Sequence, residues 1–308
     1  MQSKLRNMTI RQLRALAAVA AHKSVTAAAA QLHLTQPAVT LQIKNLEELT
    51  EARLLQRTPN GMLLTEAGDV LMRLSERIDA ALTDCSLTLE MMQGLTGGRV
   101  SIGVVSTAKY FAPFAIAAFS KAYPDIDVRL VIGNRGEIMR ALADFSLDAA
   151  IIGRPPPDID VIPTFIGDHP HIIIAPPLHP LAKAASLSPA DLGAETFLIR
   201  EPGSGTRALM ERVLTEAGVT PRIGMEIASN ETIKQAVMAG LGIAFLSAHT
   251  VAAELMDGRL ISLPIEGLPI IRHWFLVRRV EKILLPPAQA LVEFLGRETV
   301  HFLPRIVC

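Results

Sequence analysis

The chain contains few cysteine and aromatic residues and has no long hydrophobic run. Its 308 residues include two cysteines, Cys85 and Cys308, which lie far apart and form no Cys-x-x-Cys pair. This argues against a metal site or a disulfide framework, and a reducing cytoplasm is the expected location. Aromatic residues make up only 4% of the chain, so its core must be largely aliphatic. No apolar run reaches the roughly 18–20 residues of a membrane-spanning helix.

The chain has no net charge, but its charges are unevenly distributed. Lys+Arg and Asp+Glu number 30 each, yet residues 1–60 contain eight basic and three acidic residues. This segment carries a net charge of +5 and the rest of the chain −5. A basic N-terminal segment on a neutral chain predicts a nucleic-acid-binding module joined to another unit. The Ala-rich stretch 15–21 superficially resembles a secretion signal, but its short length and helical spacing predict an ordinary helix.

Residues 24–49 predict two short helices joined by a tight turn. Ser24 and Thr35 are suited to be their N-caps, and Pro37 falls in the first turn of the second helix, where no backbone N–H is needed. Three aliphatic residues, Val39, Ile43 and Leu46, recur on its inner face. Its outer face carries Gln36, Pro37, Thr40, Leu41 and Lys44. This pattern predicts a helix-turn-helix that reads the major groove of DNA, and a buried αα-hairpin is the alternative.

The next segments predict a wing and a linker. Two strands around an Asn-Gly turn at Pro59-Asn60-Gly61 form a β-wing, with Arg57 beside a phosphate or the minor groove. Thr65 caps a helix over 66–93 whose apolar residues fall near heptad spacing, which indicates self-pairing. Packing on its own domain is the alternative. The glycines in 94–98 predict a hinge.

From Arg99 onward, strands and helices alternate, which predicts two α/β lobes. Lobe 1 is expected over 99–166 and 268–308, and lobe 2 over 167–267, because the last strand and helix return to the first lobe. Predicted strands include 100–105, 127–132, 148–153 and 171–175, and predicted helices include those running from Ser106 to Tyr123 and over 248–256.

Five loops at the ends of the predicted strands combine small polar residues with basic ones. They are 106–109, 134–136, 153–154, 200–207 and 229–231. Ligands of such sheets bind at these ends, where helix N-termini and nearby Lys or Arg favour anions. The loops therefore predict an anion-binding cleft. The alternative is that their Ser, Thr and Asn residues only cap helices.

Two other classes of protein share parts of this pattern. An enzyme would need a nucleophile or a paired base, but Ser204 does not lie in a G-x-S-x-G pattern. The histidines at 169, 171, 179 and 249 have no evident acidic partner, so no catalysis is expected. A solute-binding protein would share the two lobes, but it would be exported and would lack a DNA-binding head.

The whole chain resembles LysR-type transcription regulators. The resemblance rests on LTQPAVTLQIKNLE at 34–47, on LLTEAG at the end of the wing, and on the two-lobed remainder. Five further blocks resemble the CbbR branch, which regulates Calvin-cycle operons. They are VVSTAKYFAP at 104–113, GNR at 133–135, IIGRPP at 151–156, ETFLIREPGSGTR at 195–207, and SNETIKQAVMAGLGIAFLSAHT at 229–250.

The resemblance implies a cytoplasmic activator of Rubisco and related genes that binds promoter DNA as a dimer of dimers, without a membrane partner. Its winged helix-turn-helix would span 1–65, followed by a linker helix that pairs two chains. RNA polymerase is a further expected partner. A LysR-type regulator of another metabolic operon is the alternative. No covalent cofactor is expected, and the effector would be an anionic metabolite such as NADPH, ATP, phosphoenolpyruvate or ribulose 1,5-bisphosphate.

The resemblance also implies roles for individual residues. The residues along the DNA would be Gln36, Pro37, Thr40, Leu41 and Lys44, with Arg57 in the wing. The effector cleft would be lined by Ser106, Thr107, Lys109, Asn134, Arg135, Arg154, Arg200, Ser204, Thr206, Asn230 and Glu231.

Overall fold

The computed structural model describes residues 5–92 and 97–306, with backbone alone at 84, 87, 88 and 90–92. It divides into two compact units, one over Met1–Ser86 and one over Leu87–Cys308. The hinge predicted over 94–98 lies outside the described residues except at Gly97 and Gly98. Within the described ranges, no helix is long and apolar enough to cross a membrane.

The first unit begins with three helices, α1 (Ile10–His22), α2 (Val25–Gln31) and α3 (Gln36–Thr50). The predicted caps are confirmed, because the Ser24 and Thr35 side chains each accept a hydrogen bond from the backbone N–H three residues later. Val39, Ile43 and Leu46 are buried in the core that α3 shares with α1 and α2, which confirms the predicted inner face. The outer face of α3 therefore points away from this core.

A β-hairpin follows, with strands β1 (Leu55–Thr58) and β2 (Gly61–Leu64). The predicted Asn-Gly turn is wrong by one residue: Pro59 and Asn60 form the connection, and Gly61 already pairs with Thr58. Gly61 has a φ of +102°, and a Cβ at this position would lie 2.5 Å from the Lys23 carbonyl oxygen. A glycine is needed here because the hairpin closes tightly on the end of α1.

The long helix α4 spans Glu66–Met92. Thr65 caps it as predicted, because its Oγ1 accepts a hydrogen bond from the Gly68 N–H at 3.1 Å. Leu71, Leu74 and Ile78 pack on the core of the first unit, so the first half of α4 follows the own-domain alternative. Val70, Leu82 and Leu89 are exposed, and the self-pairing of this helix stays a prediction.

The second unit alternates strands and helices. In chain order they are β3 (Gly98–Val105), α5 (Ala112–Ala122), β4 (Ile126–Gly133), α6 (Arg135–Ala143), β5 (Ala149–Ile152), β6 (Val161–Ala175), β7 (Thr196–Arg200), α7 (Gly205–Glu216), β8 (Arg222–Ile227), α8 (Asn230–Met238), β9 (Ala244–Ser247), α9 (Ala252–Met256), β10 (Ile261–Ser262), β11 (Ile270–Arg279) and α10 (Pro286–Glu298).

Strands from both halves of this unit form one sheet. β3 pairs in parallel with β4 and β5, which confirms the predicted βαβαβ order. β11 runs antiparallel to β5 and β6, and β6 also pairs with β9 and β10. β7 and β8 form a separate parallel pair, which a single bridge from Phe197 to Ile243 joins to the segment before β9. The carboxyl ends of β3, β4 and β5 meet at one edge, and this edge positions the site described below.

Two sequence-based expectations are corrected here. The strand predicted over 171–175 begins ten residues earlier, at Val161, and it contains Pro163 and Pro170, residues that normally argue against a paired strand. The helices predicted from Ser106 to Tyr123 and over 248–256 are each divided into a short 3-10 turn and a separate α-helix. In the first case, Pro113 supplies no N–H to continue the turn before it.

Candidate functional site

The residues predicted to face DNA share one surface of the first unit. A shallow depression on the outer face of α3 is lined by Gln36, Pro37, Thr40, Leu41 and Lys44. The Lys44 side chain is 71% exposed, and its Nζ lies 3.7 Å from a Glu48 carboxylate oxygen. Exposed ion pairs of this kind contribute little free energy, so the ammonium group is free to exchange its partner for a phosphate.

Other side chains on this surface are oriented by local hydrogen bonds. Thr26 Oγ1 donates to Gln36 Oε1 at 3.3 Å, which directs the Gln36 amide nitrogen away from α2. Thr40 Oγ1 donates to the Gln36 backbone oxygen at 2.9 Å. Leu41 is 53% exposed, so this face combines polar groups with one apolar contact. Arg57 lies on the hairpin, exposed on β1.

A cavity of about 310 Å³ lies in the second unit, and we call it the basic cavity. It opens where β3, β4 and β5 end and where α6 and α7 begin. Of the eleven predicted effector residues, the seven that line it are Ser106, Thr107, Asn134, Arg135, Arg154, Ser204 and Thr206. The fold therefore brings four of the five predicted loops together around one space.

Two helix N-termini meet at the basic cavity. Asn134 caps α6: its Oδ1 accepts from the Glu137 N–H at 3.0 Å, and the Glu137 carboxylate accepts from the Asn134 N–H at 2.8 Å. Ser204 caps α7, because its Oγ accepts a hydrogen bond from the Arg207 N–H at 3.4 Å. The Gly136 N–H donates to the Gly203 carbonyl at 3.4 Å, which joins the two helix starts. Capping does not exclude an anion site, because each N-terminus adds partial positive charge.

Four arginines surround this space: Arg135, Arg154, Arg212 and Arg272. Among the described residues that line the cavity, none is Asp or Glu. Burial, and then the charge of Arg154, lowers the pKa of Arg135. Burial also lowers the pKa of Arg272, followed by the charges of Arg154, Arg212 and Arg135. Because arginine stays charged at neutral pH, a bound anion would relieve this mutual repulsion.

Several lining residues were not predicted from the sequence. Arg212 lies two turns inside α7, and Arg272 lies on the returning strand β11. His169 and His171 also line the cavity. They are two residues apart on β6, so their side chains lie on the same face of that strand. The only sequence signal for them was this two-residue spacing in a segment whose first half was not predicted to be a strand.

Four predicted effector residues do not line the basic cavity. Arg200 is 2% exposed, and its guanidinium binds both carboxylate oxygens of Glu201, at 2.8 and 3.0 Å. It also donates to Ser106 Oγ at 3.1 Å, to the Ala228 carbonyl at 3.1 Å and to Asn230 Oδ1. Asn230 Nδ2 donates to the Ser106 carbonyl at 3.3 Å. Arg200 and Asn230 therefore join β7 and the start of α8 to the loop after β3, and their polar atoms are already engaged.

Lys109 and Glu231 belong to a neighbouring cluster outside the cavity. The Glu231 carboxylate accepts a hydrogen bond from Tyr110, and it lies 3.0 Å from Lys234 Nζ and 3.9 Å from Lys109 Nζ. Burial acts to raise the pKa of Glu231, but the hydrogen bonds from Tyr110 and Lys234 outweigh it and lower the pKa. Lys234 also pairs with the buried Glu254 at 3.0 Å. These groups bind one another across the two lobes.

Both units match known families. Residues 10–69 match "Bacterial regulatory helix-turn-helix protein, lysR family", and residues 93–299 match "LysR substrate binding domain". The HTH-type transcriptional regulator CbbR of Xanthobacter flavus is 52% identical over 300 residues, which cover 97% of this chain and 90% of that protein. The RuBisCO operon transcriptional regulator of Allochromatium vinosum is 42% identical over 295 residues, which cover 96% of this chain and 98% of that protein.

A solved structure supports the same relationship. The CcmR regulatory domain of Synechocystis PCC6803 in complex with 2-PG is 35% identical, with a TM-score of 0.63, and the match covers 66% of this chain and 97% of that domain. The curated relatives are transcriptional regulators and not enzymes. With its helix-turn-helix and its two α/β lobes, the chain belongs to the LysR family of DNA-binding transcriptional regulators.

Proposed function

We propose that this chain activates RuBisCO and related carbon-fixation genes in response to a small anionic metabolite bound in the basic cavity. The proposal that the target genes are those of carbon fixation rests on two relatives. They are the CbbR of Xanthobacter flavus and the Allochromatium vinosum protein named for the RuBisCO operon. Because the 52% identity extends over 97% of the chain, it includes both the DNA-binding and the effector-binding parts. Another metabolic operon is the alternative target.

On the DNA side, α3 would lie in the major groove and the hairpin beside it. The contacts would come from Gln36, Pro37, Thr40, Leu41, Lys44 and Arg57. Lys44 and Arg57 would pair with phosphates, and Leu41 would touch a thymine methyl group.

The exposed positions of α4 would pair two chains. The working protein would be a cytoplasmic dimer of dimers that meets RNA polymerase at the promoter. Residues 1–65 would form the DNA-binding domain, 66–93 the linker and 94–98 a hinge before the two lobes.

The proposal of an anionic ligand rests on the charges around the basic cavity. Four guanidinium groups and two helix N-termini, with no carboxylate among the described lining residues, favour a phosphorylated or carboxylated ligand. The volume of about 310 Å³ lies at the lower end of the ligand pockets of proteins, which span roughly 300–1,000 Å³. It therefore favours phosphoenolpyruvate or ribulose 1,5-bisphosphate over NADPH or ATP. The 2-PG bound to the CcmR domain is a further candidate.

The same geometry supports a coupling mechanism. A ligand held by Arg135 of α6 and by Arg212 of α7 would draw the two lobes together. The hydrogen bond between Gly136 and Gly203 already joins the two helix starts at this point. The movement would pass through the hinge and the linker helices to the DNA-binding domains and change the bend in the promoter.

The test uses the full-length protein and a promoter fragment from upstream of RuBisCO genes. Affinity, footprint and DNA bending are measured with each of the five candidate metabolites in turn. We expect Arg272→Gln to raise the half-maximal effector concentration about tenfold or more, because one charge-assisted hydrogen bond contributes about 1.5–3 kcal/mol. Arg222→Gln, which changes an exposed arginine on β8 outside the cavity, is the matched control and should respond like the wild type. The proposal fails if no metabolite changes affinity, footprint or bending.

A further inference from the structure

The floor of the basic cavity contains a stack of aromatic rings. The His169 ring lies on Trp274, with ring centroids 3.6 Å apart and planes 16° from parallel. His171 lies beside it, with centroids 4.2 Å apart. His249 accepts a hydrogen bond from Trp274 Nε1 on its Nδ1 at 3.0 Å. The stack fixes the position of the His169 ring, which lines the cavity together with His171.

His169 differs from the neighbouring histidines in the hydrogen bonding of its ring nitrogens. Both Nδ1 and Nε2 are buried and have no hydrogen-bond partner among the residues that the structure describes, and the residue is 4% exposed. By contrast, Nδ1 of His171 bonds the His169 carbonyl at 3.1 Å, and His249 bonds Trp274. An unsatisfied buried nitrogen lowers stability unless a partner arrives. The cavity is the place where a ligand can supply one.

A glycine packs closely against the His169 ring. Gly153 also lines the cavity, and a Cβ at this position would lie 3.0 Å from His169 Nδ1 and 3.3 Å from its Cε1. Gly153 is not among the glycines with positive φ, so its backbone conformation does not require a glycine. The absence of a side chain at Gly153 therefore allows this close approach to Nδ1, and a Cβ would press on the ring.

The environment of His169 keeps its ring neutral. Burial, followed by the nearness of His171, His249 and Arg272, lowers the pKa of His169 well below its ordinary value. A neutral imidazole offers one N–H donor and one acceptor nitrogen. This pair of functions suits a hydroxyl or carbonyl group, whereas the arginines suit the charged end of a ligand.

We propose that His169 hydrogen-bonds a hydroxyl or carbonyl group of the effector while the surrounding arginines hold its anionic group. The inference rests on the proposed function and narrows the chemical class of the effector. The effector is a phosphorylated metabolite that carries a hydroxyl or carbonyl group at a distance from its phosphate, such as a sugar phosphate. A bare anion would occupy only the arginine end of the cavity.

The experiment measures binding to the full-length protein by calorimetry. The probes are ribulose 1,5-bisphosphate, which has hydroxyl and carbonyl groups, phosphoenolpyruvate, which has neither apart from its acid groups, and inorganic phosphate. His169→Phe keeps a ring to stack on Trp274 but removes both nitrogens, and His169→Gln keeps a donor and an acceptor. His273→Phe, an identical change at a half-exposed histidine on β11 that does not line the cavity, is the matched control.

We expect His169→Phe to weaken ribulose 1,5-bisphosphate binding about tenfold, a loss of about 1.4 kcal/mol, while the other two probes bind within about twofold of wild type. His169→Gln should restore part of the loss, and His273→Phe should change nothing. Gly153→Ala should weaken the same probe selectively, which provides a second route if His169→Phe does not fold.

Three results would overturn the assignment. One is unchanged sugar-phosphate binding in both His169→Phe and Gly153→Ala. Another is an equal loss for all three probes, which would mean that His169 only supports the shape of the cavity. A third is a wild-type protein that binds none of the three probes; this inference then fails, whereas the proposed function fails only if none of its five candidate metabolites changes DNA binding.

Discussion

Arg200 is predicted to stabilise the second unit and not to bind the effector. Replacing it with Met would leave the Glu201 carboxylate without its two hydrogen bonds and would remove partners from Ser106 and Asn230. Breaking a buried ion pair costs about 3–5 kcal/mol. Because the Glu201 side chain is 16% exposed, water can reach the carboxylate, and we expect a loss near the lower end, about 3 kcal/mol. For a unit of this size, that corresponds to a drop in Tm of roughly 6–12 °C.

Tryptophan fluorescence can measure this loss of stability in the second unit. The chain's one tryptophan, Trp274, is fully buried in the second unit, so tryptophan fluorescence in a urea titration reports the unfolding of that unit. A double variant, Arg200→Met with Glu201→Leu, should recover much of the lost stability, because neither charge is then left unpaired. A loss below about 1 kcal/mol in the single variant, or no recovery in the double variant, would refute the structural role of Arg200.

Three further predictions concern other parts of the molecule. Lys44→Ala should weaken binding to promoter and unrelated DNA alike, and fluorescence anisotropy at several salt concentrations should show a slope about 0.9 shallower for each phosphate that the variant no longer neutralises; an unchanged slope would mean that Lys44 binds no phosphate. Acid should destabilise the second unit, because burial lowers the folded-state pKa of His171 to about 3 and of His249 to about 4. The unfolded chain takes up these protons below about pH 6.5, so each group should cost up to about 1.4 kcal/mol per pH unit as the pH falls from there towards its folded-state pKa. His171→Phe should reduce the pH slope of the urea-unfolding free energy by about that amount, and an equal slope would contradict the assignment. Gly61→Ala should destabilise the first unit by about 1 kcal/mol or more, since alanine is strained at positive φ and its Cβ would meet the Lys23 carbonyl; far-UV circular dichroism during thermal unfolding measures this loss, and an unchanged midpoint would refute it.

Local sequence signals predicted much of the fold. Ser24, Thr35 and Thr65 mark helix starts because capping depends on one side chain and its nearest backbone groups. The first half of β6 escaped prediction because tertiary pairing with β11 overrides the local preference of its prolines. Pro113 is a local signal for the division of the helix after β3, since a proline suits the first turn of a new helix better than the interior of a long one.

The residues of the site could be predicted only where the order of the strands alone determines their position. Asn134, Arg135 and Arg154 follow strands whose ends must meet, so their convergence on one cavity could be anticipated. Arg272 reaches the same cavity from a strand more than a hundred residues later, and no local pattern marks it. The sequence predicts Arg200 in the cleft because it does not show whether the donors of an arginine are already occupied.

The paired strands β6 and β11 limit how the lobes can move. They run together from Val161 to His171, interrupted by one register shift between Trp274 and Phe275. A ribbon of backbone hydrogen bonds resists wide separation of its two strands, and an irregularity in it increases the local twist. Trp274 lies at that irregularity and carries the His169 ring. A ligand that contacted His169 would therefore act directly on the indole at this register shift.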